Sequence, residues 1–163
     1  VYDALVTAGA SPAGLFAQTS MRIEKGFCAM GHELDGDVTP IAAGLDFAVR
    51  KSGGFIGAEA LNQARARGEE CRTVSLVLAD VTAVPLGHEP IYLDGTIIGE
   101  TSSAAFGYRV GRPVALAHLR HGVADKSRVS LDIAGRRYDA TLINGPICDP
   151  QGDWMRAPTR VEA

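Results

Sequence analysis

The chain has 163 residues, with 16 Lys+Arg against 19 Asp+Glu for a formal net charge of −3, and 46% hydrophobic against 21% charged residues. That balance excludes a disordered tract, and a chain of this length buries roughly two-thirds of its unfolded surface without a disulfide staple. Its 19 glycines and 8 prolines exceed the average share, which points to many tight turns and therefore to strands.

Residues 2–8 set Tyr2, Leu5 and Val6 at helical spacing, with Gly9 as a stop. A second amphipathic stretch over 16–27 places Met21, Ile23 and Phe27 among Arg22, Glu24 and Lys25, and Gly26 and Gly31 break it. The following G-H-E-L-D-G-D-V-T-P has loop composition closed by Pro40. Residues 45–49 predict a short strand, and 56–67 an alanine-rich helix introduced by Gly53-Gly54 and ended by Gly68. From residue 71 the period changes. Segments 71–81, 90–93, 96–101, 113–119, 128–133 and 138–143 alternate and are rich in β-branched residues. Between them stand Asp94-Gly95, Gly111-Arg112 and Ala134-Gly135, the first a type I′ hairpin signal because both central positions want positive φ. The pattern predicts an α+β chain: a helical and irregular segment over 1–70, then over 71–163 a small six-stranded antiparallel barrel or sandwich.

Cys28, Cys71 and Cys148 lie far apart, which argues against a disulfide framework or zinc module and points to a reducing, cytoplasmic location. No apolar run is long enough to span a bilayer, and no basic flank precedes an apolar stretch as in a signal peptide. The opening V-Y-D-A-L-V-T-A-G lacks a Met, as expected of a segment cut from a longer chain. Charge is spread evenly with no basic stripe, so neither nucleic acid nor membrane is an expected partner.

Residues His32, Glu33, Asp35, Asp37 and Thr39 put oxygen ligands at alternate positions, but no later bidentate Glu follows, so turn hydrogen bonding outweighs a metal site. His118 and His121, three apart at a strand end, face opposite sides and make poor ligands. Cys28, beside Phe27, is expected to be a buried, inert thiol. Gly95, Gly99 and Gly107 sit among strands rather than before a helix, which makes them hairpin glycines rather than a phosphate loop; Ser102 and Ser103 lack a nucleophile frame. Arg22 and Glu24 share a short apolar segment. A packed Arg needs a carboxylate, so a structural ion pair outweighs direct ligand contact there.

Seven motifs in order resemble the glycine cleavage T-protein (aminomethyltransferase) family: S-M-R-I-E-K-G-F, G-H-E-L-D-G-D-V-T-P, A-G-L-D-F-A-V-R, F-I-G-A-E-A-L, G-H-E-P-I-Y, D-G-T-I-I-G-E-T-S-S and V-G-R-P-V-A-L-A. The resemblance implies that 1–70 is the end of a folate-binding domain and 71–163 its C-terminal β-barrel. It implies tetrahydrofolate as cofactor and one-carbon transfer from an amine as the activity. The family's catalytic aspartate lies upstream of anything matching this chain, so no catalytic residue is assigned here and the segment alone is expected to be inactive. Family members usually carry Arg-Asp where this chain has Gln18 and Thr19, that Arg being associated with folate; the aromatic at Phe47 is usually Trp. These departures, with D-P-Q-G-D-W-M-R, are more similar to the folate domain fused behind flavin-dependent dimethylglycine or sarcosine dehydrogenases.

The first expectation is therefore the folate side of such a dehydrogenase, with FAD confined to a fused upstream domain. A free-standing aminomethyltransferase is the alternative, and a non-catalytic interaction module the third reading. The resemblance implies cofactor contacts at Gln18, Arg22, Glu24, Phe47 and Tyr108, with Phe47 against the folate ring and Arg22 with Glu24 bracing the cleft. Expected partners are the upstream part of the same polypeptide or a partner subunit, and a small methylated amine. Without upstream packing, Leu5, Leu15, Phe16, Met21 and Ile23 would form an exposed apolar patch that favours self-association.

Overall fold

In the computed structural model, which describes residues 1–120 and 122–156, each of the six strands predicted from residue 71 onward is present. They are β1 (Cys71–Leu78), β2 (Pro90–Leu93), β3 (Thr96–Gly107), β4 (Arg112–Arg120), β5 (Arg128–Ile133) and β6 (Arg136–Ile143). All pairings are antiparallel and the order β1-β4-β3-β2-β5-β6 closes into a barrel, which decides against the sandwich. Closure follows from alternation: one face of each strand supplies a common interior, including Val74, Leu76, Leu78, Ile91, Leu119, Leu131 and Leu142. Two-residue loops join β2 to β3 and β5 to β6. Asp94 and Gly95 have φ of 49° and 81°, Ala134 and Gly135 51° and 80°, the paired positive values of a type I′ turn.

Ahead of the barrel lie α1 (Tyr2–Thr7), α2 (Leu15–Glu24) and α3 (Ala58–Arg67); a short α4 (Asp153–Arg156) follows it. The predicted strand at 45–49 is instead a 3-10 turn, Asp46–Ala48. No strand edge is available to it, so its backbone is satisfied locally: Leu45 N–H donates to the Pro40 carbonyl and Ala48 N–H to that of Leu45. No helix among the described residues is long and apolar enough to cross a membrane.

Among the described helices only α2 packs firmly on the barrel. Ile23 is fully buried against Val114 and Leu116, whose strand also sends Ala115, Ala117 and Leu119 inward, so β4 is covered on both faces. This explains the unbroken apolar run P-V-A-L-A. Leu5, Leu15, Phe16 and Met21 are exposed, as the missing-partner argument expects, but Ile23 is not: the barrel itself supplies its partner. Replacing Ile23 by Val removes one methylene from this joint and is expected to lower stability by about 1 kcal/mol, read as a shifted urea midpoint at constant m.

Candidate functional site

The joint between α2 and the barrel is polar as well as apolar, and a β-bulge makes it so. In the β3–β4 ladder Thr101 opposes Ala117 and Ser103 opposes Leu116, which leaves Ser102 unpaired. A bulge interrupts the in–out alternation, and here Thr101, Ser102 and Ser103 are all buried. Thr101 Oγ1 donates to the buried Glu89 carboxylate and accepts the Glu89 N–H at 2.9 Å, while that carboxylate also accepts the amides of Leu86 and Gly87. Ser102 Oγ donates to Glu33 Oε1 at 2.7 Å, and Ser103 Oγ accepts from Arg22 Nη2 at 2.7 Å. Arg22 Nη1 lies 2.8 Å from Glu33 Oε2, which also accepts the Ala29 amide at 2.9 Å. Burial pushes the Glu33 carboxyl up. Hydrogen bonds from Ser103, Ala29 and Ser102 and the Arg22 charge outweigh that push and hold it below its ordinary value.

The carboxylate partner of Arg22 is thus Glu33 and not Glu24. Glu24 is also buried, but its Oε1 accepts the amides of Arg109 and Val110 at 2.8 and 3.0 Å, fixing the β3–β4 turn. Next to it, Lys25 Nζ meets Asp149 Oδ2 at 2.7 Å. That hydrogen bond from Lys25 is the main reason the Asp149 carboxyl titrates below its ordinary range; the Asp153 and Trp154 amides add to it and partial desolvation opposes it. These contacts bring α2, the β3–β4 turn and the C-terminal residues around a cavity of about 460 Å³. Met21, Phe27, Trp154 and Met155 give it apolar walls, and Arg109, whose guanidinium sits 4.9 Å from the Trp154 ring centroid, gives it a cation.

Of the five residues singled out for cofactor contact, Gln18, Arg22 and Glu24 line this cleft. Tyr108 lines a second cavity of about 590 Å³, shared with Arg22, Ser102, Ser103 and the edge-on ring of Phe106. Phe47, 83% exposed, lines a third, on the far side of Phe27 beside Cys28 and Leu45. The structure therefore does not bring the five together. Among the remaining expectations, Asp35 Oδ1 accepts the amides of Asp37 and Val38 and Thr39 Oγ1 accepts that of Ala42, as turn chemistry requires, while Thr39 Oγ1 also donates across to Glu69. Glu33 departs from that loop, being buried in the network above. No group of three metal-ligating side chains is assembled among the described residues. Cys28 is half-buried, its thiol pushed up by burial and by Glu33, with Arg22 opposing. His118 meets Thr73 Oγ1 at 3.3 Å, and His121 lies outside the described residues.

Gly99 and Gly107 are strand residues, and what requires glycine there is close approach rather than a turn. A Cβ on Gly107 would stand 2.9 Å from Glu24 Oε1, and one on Gly99 2.0 Å from the His118 carbonyl oxygen. Glu33, Arg109 and Trp154 escape a reading of the sequence as site residues. Only the need of a packed Arg22 for a carboxylate outside its own helix could have pointed to the first.

A helical segment bonded through a buried polar network to a closed six-stranded barrel defines an α+β protein with a cleft at the joint. The "GCVT N-terminal domain" model matches residues 1–53 and the "Glycine cleavage T-protein C-terminal barrel domain" model residues 72–149. The chain belongs to the glycine cleavage T-protein (aminomethyltransferase) family and is related to the folate domains of dimethylglycine dehydrogenases. It is 33% identical over 154 residues to mitochondrial dimethylglycine dehydrogenase of Homo sapiens, covering 90% of this chain and 18% of that protein. It is 36% identical over 145 residues to an aminomethyltransferase of Streptomyces avermitilis, covering 83% and 39% respectively. The crystal structure of the glycine cleavage system aminomethyltransferase T from Bartonella henselae superposes with a TM-score of 0.80 at 26% identity, over 90% of this chain and 42% of that one. The chain thus spans between about a fifth and two-fifths of the length of these relatives.

Proposed function

We propose that the chain is the C-terminal, folate-side part of an aminomethyltransferase that passes a one-carbon unit from a carrier-borne amine to tetrahydrofolate. The observation that carries this reading is the 460 Å³ cleft at the joint: aromatic and thioether walls, with a guanidinium that makes no ion pair among the described residues. A reduced folate is a flat bicyclic ring with an anionic glutamate tail, and such walls suit the ring as Arg109 suits the tail. When bound, it supplies the nitrogen that accepts the carbon. The chain's own residues bind and orient it. Glu24 holds the Arg109 backbone in place, Gln18 offers an amide at the rim, and Arg22, neutralised by Glu33, braces the wall between two cavities. The free-standing reading is supported by the 36% identity to the Streptomyces avermitilis aminomethyltransferase and by the likeness to the Bartonella henselae aminomethyltransferase structure.

A second reading keeps the same cleft behind a flavin-linked dehydrogenase. The 33% identity to the human dehydrogenase supports it, as do Gln18-Thr19 and Phe47 in place of the more usual Arg-Asp and Trp. A flavin absorption band in the protein purified at full length would decide for it. Calorimetry with 5-formyltetrahydrofolate, a stable reduced folate, tests the cleft itself. Binding is expected, and Arg109→Ala is expected to weaken it about tenfold, the loss of one charge-assisted contact. A wild-type chain that takes up no folate would leave the non-catalytic module. Phe47→Ala and Tyr108→Ala complete the test, since a loss of affinity in either extends the folate site into its own cavity.

A further inference from the structure

Beyond β6 the chain turns back beneath α2, and Glu24, the last residue of α2, and Lys25 just after it hold it there. The amides of Ile147 and Cys148 both donate to the Glu24 carbonyl, at 3.0 and 2.9 Å. Lys25 Nζ donates to the Asp149 carboxylate and to the Asp149 carbonyl. Asp149 adopts a φ of 47°, uncommon for a residue with a side chain, and its Oδ1 accepts the Asp153 amide at 2.8 Å, which starts α4. This places Trp154 and Met155 against the cleft. Arg109, stacked on Trp154, is fixed from behind by the Glu24 carboxylate. Yet α4 buries no residue, and Trp154 remains 60% exposed. A large ring brought to a cleft by an ion pair, a backbone cap and a cation–π contact, and then left uncovered, adds little to packing.

We propose that Trp154 is a ligand-facing wall that stacks on the flat ring of the cleft's occupant, and that Lys25 with Asp149 is the latch that holds it in place. The identity of that ring rests on the folate reading above. The wall itself rests on the geometry of the strap. Stacking on an exposed indole is sequence- and substituent-tolerant, so Trp154 sets affinity for a flat ring, while the tail is left to Arg109.

Trp154 is the sole tryptophan of the chain, so its fluorescence reports on this position alone. Acrylamide quenching and calorimetry, both with 5-formyltetrahydrofolate on the 163-residue chain, test the proposal together. The ligand is expected to shield Trp154 from acrylamide. Trp154→Ala, at an exposed position, is expected to fold and to bind about tenfold more weakly, with Trp154→Phe recovering most of the loss. Lys25→Met is expected to raise acrylamide access to Trp154 in the free protein and to weaken binding. Wild-type binding that leaves Trp154 unshielded, or an unchanged affinity in Trp154→Ala, overturns the wall while the folate reading stands. Weaker binding in Lys25→Met without any change in Trp154 access makes Lys25 a direct ligand contact and overturns the latch. No binding by the wild type removes the folate reading and the stacking partner with it.

Discussion

Replacing Glu33 with alanine is expected to destabilise the protein by about 3–5 kcal/mol, the range for breaking a buried ion pair from one side. The carboxylate is fully buried and accepts from the Arg22 guanidinium, the Ala29 amide and the Ser102 and Ser103 hydroxyls. Its removal leaves Arg22, whose side chain is only 15% exposed, with Ser103 and the Phe27 carbonyl as its remaining partners. A glutamine in its place keeps the shape and one acceptor but turns an amide N–H₂ toward some donors, so a smaller loss is expected. The pH dependence separates charge from shape. Because the native carboxyl is held below its unfolded value of about 4.3, its contribution is fully present above that value and is lost as pH falls through the native one. The stability difference between wild type and Glu33→Gln should therefore narrow on acidification below about pH 4. A difference that stays constant in urea titrations down to the acid limb would show that Glu33 acts without its charge.

The partner of Arg22 shows where sequence reasoning ran out. Glu24 is the nearest carboxylate in the chain, but two positions along a helix turn side chains to different faces, so α2 itself forbids the pair. Glu33 arrives instead through a loop that doubles back, with the amides of His32, Glu33 and Leu34 all donating to the Ala29 carbonyl. No periodicity encodes that. The strands were legible because period-two alternation and dipeptides such as Asp94-Gly95 are local signals, and β2 and β5 have the bounds that pattern predicts. The expected end of β3 at residue 101 falls short by six residues, since the bulge at Ser102 breaks the alternation that would have carried the reading to Gly107. Trp154 was out of reach for another reason. A four-residue helix has no pattern of its own, and what positions this one is the Lys25 side chain at the end of α2, more than a hundred residues earlier in the chain.

Gly99→Ala is expected to cost about 3 kcal/mol or more, at or beyond the upper end of ordinary overpacking. The new Cβ would stand 2.0 Å from the His118 carbonyl oxygen, 3.0 Å from its carbon and 2.8 Å from Leu119 Cδ2. Rotating Leu119 answers only the last of these. The others are backbone atoms of β4, itself held between β1 and β3 in a closed barrel, so relief requires β3 and β4 to part where Gly99 opposes Leu119. Gly107 supplies the contrast: its nearest obstacle is the end of the Glu24 side chain at 2.9 Å, which can shift at the expense of its bonds to Arg109 and Val110. Gly107→Ala should therefore be the milder of the two in thermal unfolding, and the reverse order would mean that the barrel yields more readily than the α2 joint. Separation at Gly99 also propagates. Thr101, Ser102 and Ser103 follow it on the same strand, and their bonds to Glu89, Glu33 and Arg22 depend on the position of the bulge. Gly99→Ala is accordingly expected to lower stability and, in whatever fraction still folds, to loosen the α2 joint that shapes the cleft.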